Sequence, residues 1–318
     1  LAENYEFANQ CNESGFKFIG PDSKTIKIMG DKITAKEFVG KYNIPTVPGF
    51  SENITEESTF KNIVNKIGYP VILKATAGGG GRGMRVVNNE NELIKSLELT
   101  KREALSAFGN DRVYVEKYIE NPRHVEIQII GDGKGNAIHL GTRDCSMQRR
   151  HQKIIEEAPA LNLDENNLKK TLNACINLCK EIKYEGAGTM EFLYEKGEFY
   201  FIEMNTRIQV EHPVTEMITG FDIVKAQIKI ALGINYPLDQ NKIYFKGHSL
   251  ECRINAEDPQ TFQPCPGEIT KMHTAGGFGI RYDSHIYSGY NVSPYYDSLL
   301  AKIITHANSR KSSIKRML

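Results

Sequence analysis

The chain has 318 residues with 40% hydrophobic and 25% charged content, which is typical of a globular protein and unlike a disordered or fibrous one. Its 40 basic and 39 acidic residues leave a net charge of +1, so no global field attracts nucleic acid or an anionic membrane. No apolar run is long enough to span a membrane, and no signal-peptide pattern is present. We therefore expect neither a nucleic-acid nor a membrane partner, and any site for a polyanion must be local.

The cysteines indicate a reducing compartment, because their spacing builds no disulfide scaffold in a chain of this length. We expect a cytoplasmic location, with an organelle matrix as the alternative. Cys175 and Cys179 favour a buried helix face over half a metal site, because no second pair or histidine stands nearby. The start at Leu1 without a Met, and a basic helix beginning without a stop signal in residues 309–318, indicate a fragment.

The first half of the chain predicts strands and one helix around a glycine run. Residues 16–21 alternate like a short strand closed by a turn, and residues 31–42 have the apolar spacing of a helix. Strands at 69–75 and 84–87 flank the glycine run at 78–83. The pattern is therefore strand, flexible loop, strand.

The second half adds strands with few helices, which predicts the α+β class. Strands are expected at 113–116, 124–130 and 137–139, helices at 168–182 and 223–232, and a hairpin across 189–205 that turns at Lys196 and Gly197. From residue 233 onward the pattern changes to short strands at 249–254, 268–273 and 279–282. We place a second, mostly β domain there.

The glycine run at 78–83 is the first feature with a chemical mechanism, because glycines let backbone N–H groups approach phosphate oxygens closely. It is not a dinucleotide fingerprint, since a strand follows it rather than a helix, and it lacks the Lys-Ser or Lys-Thr ending of a P-loop. A flexible linker is the alternative. Lys74, at the end of the preceding strand, adds an ammonium and favours a nucleotide.

The predicted hairpin carries Glu191, Glu203 and Asn205, whose oxygens are ligands that Mg²⁺ prefers. Solvent-facing charge is the alternative. A two-residue turn at Lys196 and Gly197 would put the two carboxylates on opposite faces, whereas a three-residue loop or a bulge would put them on one face. A metal site therefore requires that loop or a bulge.

Two further polar stretches have the residue types of an anion site. Arg207, Gln209 and Glu211 alternate onto one face of an extended segment, where Arg207 could grip an oxyanion and Glu211 could act as a base. A basic cluster comprises Arg143, Arg149, Arg150, His151 and Lys153. A plain surface strand and a solvated loop are the respective alternatives, and His124 and His212 taken singly favour structural roles.

In this order, the motifs resemble the biotin carboxylase family of ATP-grasp ligases along the whole chain. The resemblance rests on the stretches at 29–32, 74–83, 116–119, 143–153, 201–212 and 251–255, with Ala77 standing where the family usually has another glycine. It implies an ATP-grasp fold at 32–232, a remnant of the N-terminal domain at 1–31 and a truncated, mostly β C-terminal domain at 233–318. The family's nucleotide-fold-like N-terminal region is then mostly missing.

The resemblance also implies a role for each matching residue. ATP would be bound by Lys32, Lys74, Gly80, Gly81, Glu116, Lys117, Tyr118, Ile119, His124, Gln148 and His151. Metal ions, Mg²⁺ or Mn²⁺ and two in number, would be bound by Glu191, Glu203 and Asn205. Bicarbonate and biotin would be bound by Lys153, Arg207, Gln209, Val210, Glu211 and Arg253, among which Arg207, Glu211, Arg253 and Lys153 would be catalytic.

The implied reaction carboxylates biotin on a carrier protein, with ATP and bicarbonate as substrates. Glu211 would deprotonate bicarbonate, carboxyphosphate would form, and Arg253 would stabilise the biotin enolate-like oxygen. The implied partners are a biotin carboxyl carrier protein, carboxyltransferase subunits and a second copy of the chain. We expect the first half-reaction of acetyl-CoA carboxylase in fatty acid synthesis, with propionyl-CoA, methylcrotonyl-CoA or pyruvate carboxylase as alternatives. The competing interpretations are another ATP-grasp ligase and a silent nucleotide-binding subunit.

Overall fold

The computed structural model describes residues 1–50, 57–76 and 83–318. Its helices are α1 (Tyr5–Glu13), α2 (Ser23–Gly30), α3 (Lys32–Gly40), α4 (Glu57–Ile67), α5 (Glu90–Phe108), α6 (Glu165–Glu181), α7 (His212–Thr219), α8 (Ile223–Ala231) and α9 (Arg310–Met317), with a short 3-10 helix at Gln240–Lys242. None of these helices within the described ranges combines the length and apolar content that a membrane crossing needs.

The strands form two main sheets and one small ribbon, and every strand pair in them is antiparallel. They are β1 (Gly49–Phe50), β2 (Val71–Ala75), β3 (Met84–Val87), β4 (Val113–Lys117), β5 (Arg123–Asp132), β6 (Ala137–Arg149), β7 (Gln152–Ala158), β8 (Glu185–Glu195), β9 (Glu198–Asn205), β10 (His248–Asn255), β11 (Gly267–Glu268), β12 (Ile280–Ser284), β13 (Asn291–Val292) and β14 (Leu299–Ala307).

The four-stranded sheet has the order β1-β4-β2-β3, and the eight-stranded sheet has the order β12-β14-β10-β7-β6-β5-β8-β9. The larger sheet runs without interruption from the central strands into β10, β12 and β14 of the C-terminal region. Its buried core includes Phe192, Phe199 and Phe201 of the β8–β9 hairpin, against which Cys175 and Cys179 of α6 pack. The α+β class is therefore confirmed, as is the buried helix face of these two cysteines.

Short polar side chains start several helices, as the physics of unpaired N–H groups requires. Asp31 accepts a hydrogen bond from the backbone N–H of Thr34, and Asp164 and Asp222 do the same for Asn167 and Lys225. The cap at Asp31 sets where α3 begins. It thereby places Lys32 and Lys36 on the first two turns, toward the site described below.

Two predicted strands differ from the structure. Residues 16–21 are not a strand, because no other segment of the described chain pairs with them and the Phe18 ring instead packs edge-on against Phe7 of α1. Phe16 and Ile19 stay 72% and 50% exposed, so the alternation marks docking onto a helix rather than a sheet face. The predicted strand at 268–273 is reduced to Gly267–Glu268 in β11.

Candidate active site

A cavity of about 660 Å³ is lined by residues of both main sheets and of α3. On one wall lie Lys32, Lys36, Lys74 and Glu116, and on the other lie strands β5 to β10 of the large sheet. Most of the polar residues named from the sequence converge here. The cavity is therefore the candidate active site.

The lysine wall is built from α3 and the four-stranded sheet. Lys74 on β2 forms an ion pair with Glu116 of β4 at 2.8 Å, and Lys36 contacts the other oxygen of the same carboxylate. Burial, together with the nearby Lys32 ammonium, lowers the pKa of Lys74 to about 8. Lys32, at the start of α3, lies 3.9 Å from Glu203. The wall thus concentrates ammonium groups in a partly buried space, which suits a polyphosphate.

The stretch from Glu116 to Ile119 reaches the cavity through Glu116 alone among its side chains. The Lys117 amine turns away and donates to the carbonyls of Gly68 and Tyr69 at 3.0 and 2.9 Å. The backbone N–H of Tyr118 donates to the Pro70 carbonyl. Lys117 and Tyr118 therefore tie the end of β4 to the segment that leads into β2. Gly80 and Gly81 lie outside the described residues.

The β8–β9 hairpin brings Glu191 opposite Glu203 by a bulge. Its turn has two residues, Lys196 and Gly197, both with positive φ, and Glu195 pairs with Glu198 across it. The register then shifts between Phe192 and Glu191, so that Glu191 pairs with Glu203 and Ile202 is the extra residue. Both carboxylates consequently line the cavity. A metal site requires either a three-residue loop or a bulge in this hairpin, and the structure contains the bulge.

These carboxylates differ in electrostatic surroundings. Burial and the neighbouring Glu191 raise the pKa of Glu203. Burial also acts to raise the pKa of Glu191, but the His124 hydrogen bond and the Lys153 ammonium outweigh it and lower the value. The Asn205 amide donates to Glu191 at 2.8 Å, and its own oxygen accepts from Arg207 at 3.0 Å. An oxygen-rich group facing one cavity fits a hard divalent cation.

Lys153 on β7 is surrounded by carboxylates of three elements. It contacts Glu126 of β5 and lies 2.8 Å from both Glu191 and Glu211. Burial acts to lower its pKa, but the three carboxylates outweigh it and raise the value. The ammonium is therefore held charged at the centre of the cavity floor.

His124 and Gln148 lie side by side above this cluster. The imidazole Nε2 of His124 is 3.1 Å from Glu191 and 3.3 Å from Glu126, and Gln148 Nε2 is 3.3 Å from its Nδ1. Burial acts to lower the His124 pKa, but hydrogen bonds to the two glutamates raise it to about 9. His151 lies exposed at the rim of the same cavity.

Glu211 lies between two cations at the opposite end. One of its oxygens is 2.8 Å from the Lys153 amine, and the other accepts from Arg253 of β10 at 3.0 Å. Arg253 also donates to Glu156 of β7 at 2.6 Å. The carbonyl of Val210, the residue before Glu211, accepts a hydrogen bond from Lys302 at 2.7 Å. Neighbouring strands thus fix both the carboxylate and the guanidinium in direction.

The segment from Arg207 to Glu211 is a loop with a bend at Arg207 and a turn at Val210 and Glu211, and not the predicted extended segment. Gln209 and Glu211 are buried in the cavity wall, whereas Arg207 is half exposed and forms an ion pair with Glu3 at 2.7 Å. Gln209 donates to Glu191 at 2.7 Å and accepts from Arg143 at 2.8 Å. All three predicted side chains line the cavity, but Val210 lines it as well, so they converge there without the predicted alternation.

The basic stretch at 143–153 does not form one cluster. The Arg143 guanidinium is fully buried under the cavity floor and donates to Glu126, Gln128, Thr189, Gln209 and Thr215. Arg149 forms an ion pair with Glu257 in a neighbouring pocket rather than in this cavity. Arg150 and His151 occupy a two-residue turn with positive φ between β6 and β7. Strand alternation followed by a tight turn separates these charges.

Sequence reasoning missed Lys36, Glu126 and Glu156. Glu126 is fully buried at the centre of the floor, where it meets Lys153, Arg143 and His124. Its place two residues after His124 in a predicted strand was an available signal, since both then share a face. Lys36 lies one turn after Lys32 on the predicted helix and could have been found by the same argument. Glu156 carried no comparable signal.

The chain matches two family models. The model of the carbamoyl-phosphate synthase L chain ATP-binding domain matches residues 31–240, and that of the biotin carboxylase C-terminal domain matches residues 251–318. Biotin carboxylase of Pseudomonas aeruginosa is 57% identical over all of this chain and 71% of its own length. One subunit of the pyruvate carboxylase of Methanothermobacter thermautotrophicus is 49% identical over all of this chain and 65% of its own length.

Two solved structures extend the comparison to the fold. The biotin carboxylase complex with β,γ-ATP from Campylobacter jejuni has a TM-score of 0.93 at 50% identity, covering all of this chain and 71% of the other. The biotin carboxylase domain dimer of Hydrogenobacter thermophilus 2-oxoglutarate carboxylase, with MgADP, ADP and bicarbonate, has a TM-score of 0.92 at 52% identity, covering all of this chain and 70% of the other. The predicted ATP-grasp fold is thereby confirmed, and the chain belongs to the biotin carboxylase family of ATP-dependent ligases.

Proposed function

We propose that the protein carboxylates biotin on a carrier protein, using ATP and bicarbonate. The observation that carries this proposal is Glu211, held between Lys153 and Arg253 in the cavity that also contains the lysine wall. A base, two cations and a polyphosphate site in one space suit the activation of a small oxyanion by phosphoryl transfer.

In this proposal bicarbonate lies beside Glu211, near the side chains of Arg207 and Gln209. Glu211 accepts the bicarbonate proton, and the bicarbonate oxygen attacks the γ-phosphorus of ATP while the bond to ADP breaks. The products are carboxyphosphate and ADP. Lys153 offsets the negative charge that gathers on the carboxyl oxygens in this step.

The second step transfers the carboxyl group. Carboxyphosphate separates into CO₂ and phosphate, the phosphate takes the proton of the biotin ureido nitrogen, and that nitrogen attacks CO₂. Arg253 stabilises the negative ureido oxygen that forms. Glu156 and Glu211 hold the guanidinium in place for this task.

The nucleotide is assigned to the part of the cavity beside the lysine wall, and its metal ions to the β8–β9 hairpin next to it. The residues that would surround ATP are Lys32, Lys74, Glu116, His124, Gln148 and His151. Gly80, Gly81 and the stretch 117–119 would complete the site. Glu191, Glu203 and Asn205 would hold Mg²⁺ or Mn²⁺, as two ions. When bound, such ions neutralise charge on the transferring phosphoryl group.

We further propose a division at residues 31 and 232, although the large sheet is continuous across the second boundary. A biotin carboxyl carrier protein, carboxyltransferase subunits and a second copy of the chain are the proposed partners, in a cytoplasmic setting. The proposed pathway is the first half-reaction of acetyl-CoA carboxylase. The similarity to a subunit of pyruvate carboxylase supports the alternative of a pyruvate carboxylase.

The test is ATP cleavage measured with bicarbonate and free biotin, each added and omitted. We expect ADP release to require bicarbonate and carboxybiotin formation to require both bicarbonate and biotin. Turnover with ammonia or an amino acid in place of biotin would identify another ATP-grasp ligase, and nucleotide binding without turnover would identify a silent subunit.

A further inference from the structure

Lys36 is a cavity residue to which the proposed reaction gives no role. It belongs to α3, which packs against β9 of the large sheet, and its amine contacts Glu116 of the four-stranded sheet. The amine also lies over the Tyr114 ring, 5.2 Å from the ring centre. Its side chain is only 15% exposed. The contact thus joins the two sheets at the lysine wall.

Glu116 is shared by two ammonium groups. One carboxylate oxygen contacts Lys36, and the other is 2.8 Å from Lys74. The Glu116 side chain is 3% exposed, so its charge depends on these partners rather than on water. A buried carboxylate that loses its only cation is strongly destabilised.

Lys74 has two tasks in the proposed site. It is paired with Glu116 in the structure, and it is also the lysine beside the glycine run that is assigned to the phosphates. A lysine that moved from Glu116 to a phosphate would leave the buried carboxylate without its ammonium. The second cation on Glu116 removes that obstacle.

We propose that Lys36 is a positioning residue that keeps Glu116 neutralised, so that Lys74 is free to bind the phosphates of the nucleotide. This inference rests on the proposed function and adds Lys36 of α3 to the residues on which nucleotide binding depends. The Lys74 ammonium is one cause of the lowered Lys36 pKa, so its departure to a phosphate favours the charged form of Lys36.

The experiment compares Lys36→Met with the unaltered full-length protein in binding of ATP with Mg²⁺ and in biotin-dependent ATP cleavage. Without Lys36, Glu116 retains Lys74, and we expect the KM for ATP and the Kd to rise about 10-fold or more, with kcat changed less than about 3-fold. Lys36→Arg should keep most of the affinity. Lys41→Met, at the exposed C-terminal end of α3, is the charge-matched control and should change neither value.

A second background separates positioning from simple loss of charge. In Glu116→Gln no buried carboxylate holds Lys74, so adding Lys36→Met should raise the KM by less than about 3-fold relative to Glu116→Gln alone. Equal effects of Lys36→Met in both backgrounds would overturn the proposal, as would an unchanged KM in the single variant. If circular dichroism shows that Lys36→Met is misfolded, Lys36→Gln is used in its place.

The outcome for the unaltered protein distinguishes this inference from the function on which it rests. If that protein binds no ATP, the proposed function is wrong and the inference is overturned with it. If it binds ATP and turns it over with biotin while Lys36→Met behaves identically, only the role of Lys36 is overturned.

Discussion

Glu211 has two oxygens that face two different cations, and the proposed reaction uses these cations at different times. Lys153, 2.8 Å from one oxygen, borders the position of bicarbonate and the phosphoryl group. Arg253, 3.0 Å from the other, is assigned to charge that appears only after biotin loses its proton. Single substitutions should therefore separate the two half-steps.

Glu211→Gln should lower bicarbonate-dependent ATP cleavage by about 10²–10⁴-fold, because the amide cannot accept the bicarbonate proton. Arg253→Ala should lower carboxybiotin formation by about 10²–10³-fold and ATP cleavage by much less, since its charge is needed in the later step. The measurement compares ADP release with carboxybiotin at saturating ATP and bicarbonate. Normal coupled turnover of the Glu211 variant, or parental carboxylation by the Arg253 variant, would show these roles to be wrong.

The carboxylates of the β8–β9 hairpin can be tested through binding alone. Glu191→Gln and Glu203→Gln should each weaken Mg²⁺-dependent ADP binding by about 10-fold or more, because each removes a charged oxygen from the hard-cation group. Calorimetric titration with and without Mg²⁺ isolates the metal-dependent part. Glu198 lies on the same strand as Glu203 and is exposed, so Glu198→Gln is the control. An equal loss in that variant would contradict the assignment.

At the scale of the element, the β8–β9 hairpin combines a tight turn with a bulge. The turn needs positive φ at both Lys196 and Gly197, with values of 51° and 90°. The bulge at Ile202 then shifts the register once, so that Phe192 still pairs with Phe201 while Glu191 pairs with Glu203. Aromatic side chains thus stay in the core while both acids reach the cavity.

Gly197→Ala should destabilise the chain by about 1–2 kcal/mol, because a residue with a Cβ is strained at this φ. The added Cβ itself has room, since its nearest neighbour is the Asp164 Cβ at 3.8 Å. Lys196→Asn is the matched control and should cost little, because Asn tolerates the left-handed region. Chemical denaturation measures both. Equal losses, or none in either variant, would contradict a turn of this type.

The elements near the site were predictable wherever local pattern and tertiary structure agree. The strand at Met84–Val87 and the hairpin turn follow from short-range periodicity and a Lys-Gly pair. The bulge at Ile202 was left open, because register depends on which side chains the neighbouring strands bury. Helix α7 was not predicted. The polar residues before it, Arg207 to Glu211, have the alternation of a strand, but in the structure Gln209 and Glu211 pair with Glu191 and Lys153 instead.

Side-chain pairing in the site was harder to predict than strand position. Arg143 and Lys153 occur within one basic stretch, yet each is neutralised by acids from distant parts of the chain, such as Glu126 for both and Glu211 for Lys153. Such pairs depend on strand order, which is set by long-range packing. The family resemblance supplied roles for the residues, whereas residue spacing alone supplied only alternatives.

At the scale of the whole molecule, a net charge of +1 conceals a separation of charge within the cavity. Lys32, Lys36 and Lys74 gather on the wall formed by α3 and the small sheet. Carboxylates gather around Lys153, with Glu126 and Glu191 on the large sheet and Glu211 at the start of α7. A nucleotide placed between the walls meets Lys36 and Lys74, whose charge is partly suppressed by burial and by neighbouring ammonium groups.

Nucleotide binding should therefore take up protons. Burial and the neighbouring ammoniums lower the pKa of Lys36 to about 7 and of Lys74 to about 8 in the free protein. Phosphates favour the charged forms and raise both values on binding, so between the free and bound pKa values each lysine gains a proton. We expect uptake of about one proton per nucleotide near pH 8, where the phosphates themselves are already ionised.

The sign of the pH dependence follows from that uptake. Because the bound pKa values exceed the free ones, affinity is highest below about pH 7 for these two groups and declines as the pH rises through about 8 to 9. Titration calorimetry at one pH in two buffers of different ionisation enthalpy gives the number of protons directly. Lys36→Met should reduce the uptake, whereas the control Lys41→Met should leave it unchanged. Proton release, or the same heat in both buffers, would contradict the predicted proton uptake by the lysine wall.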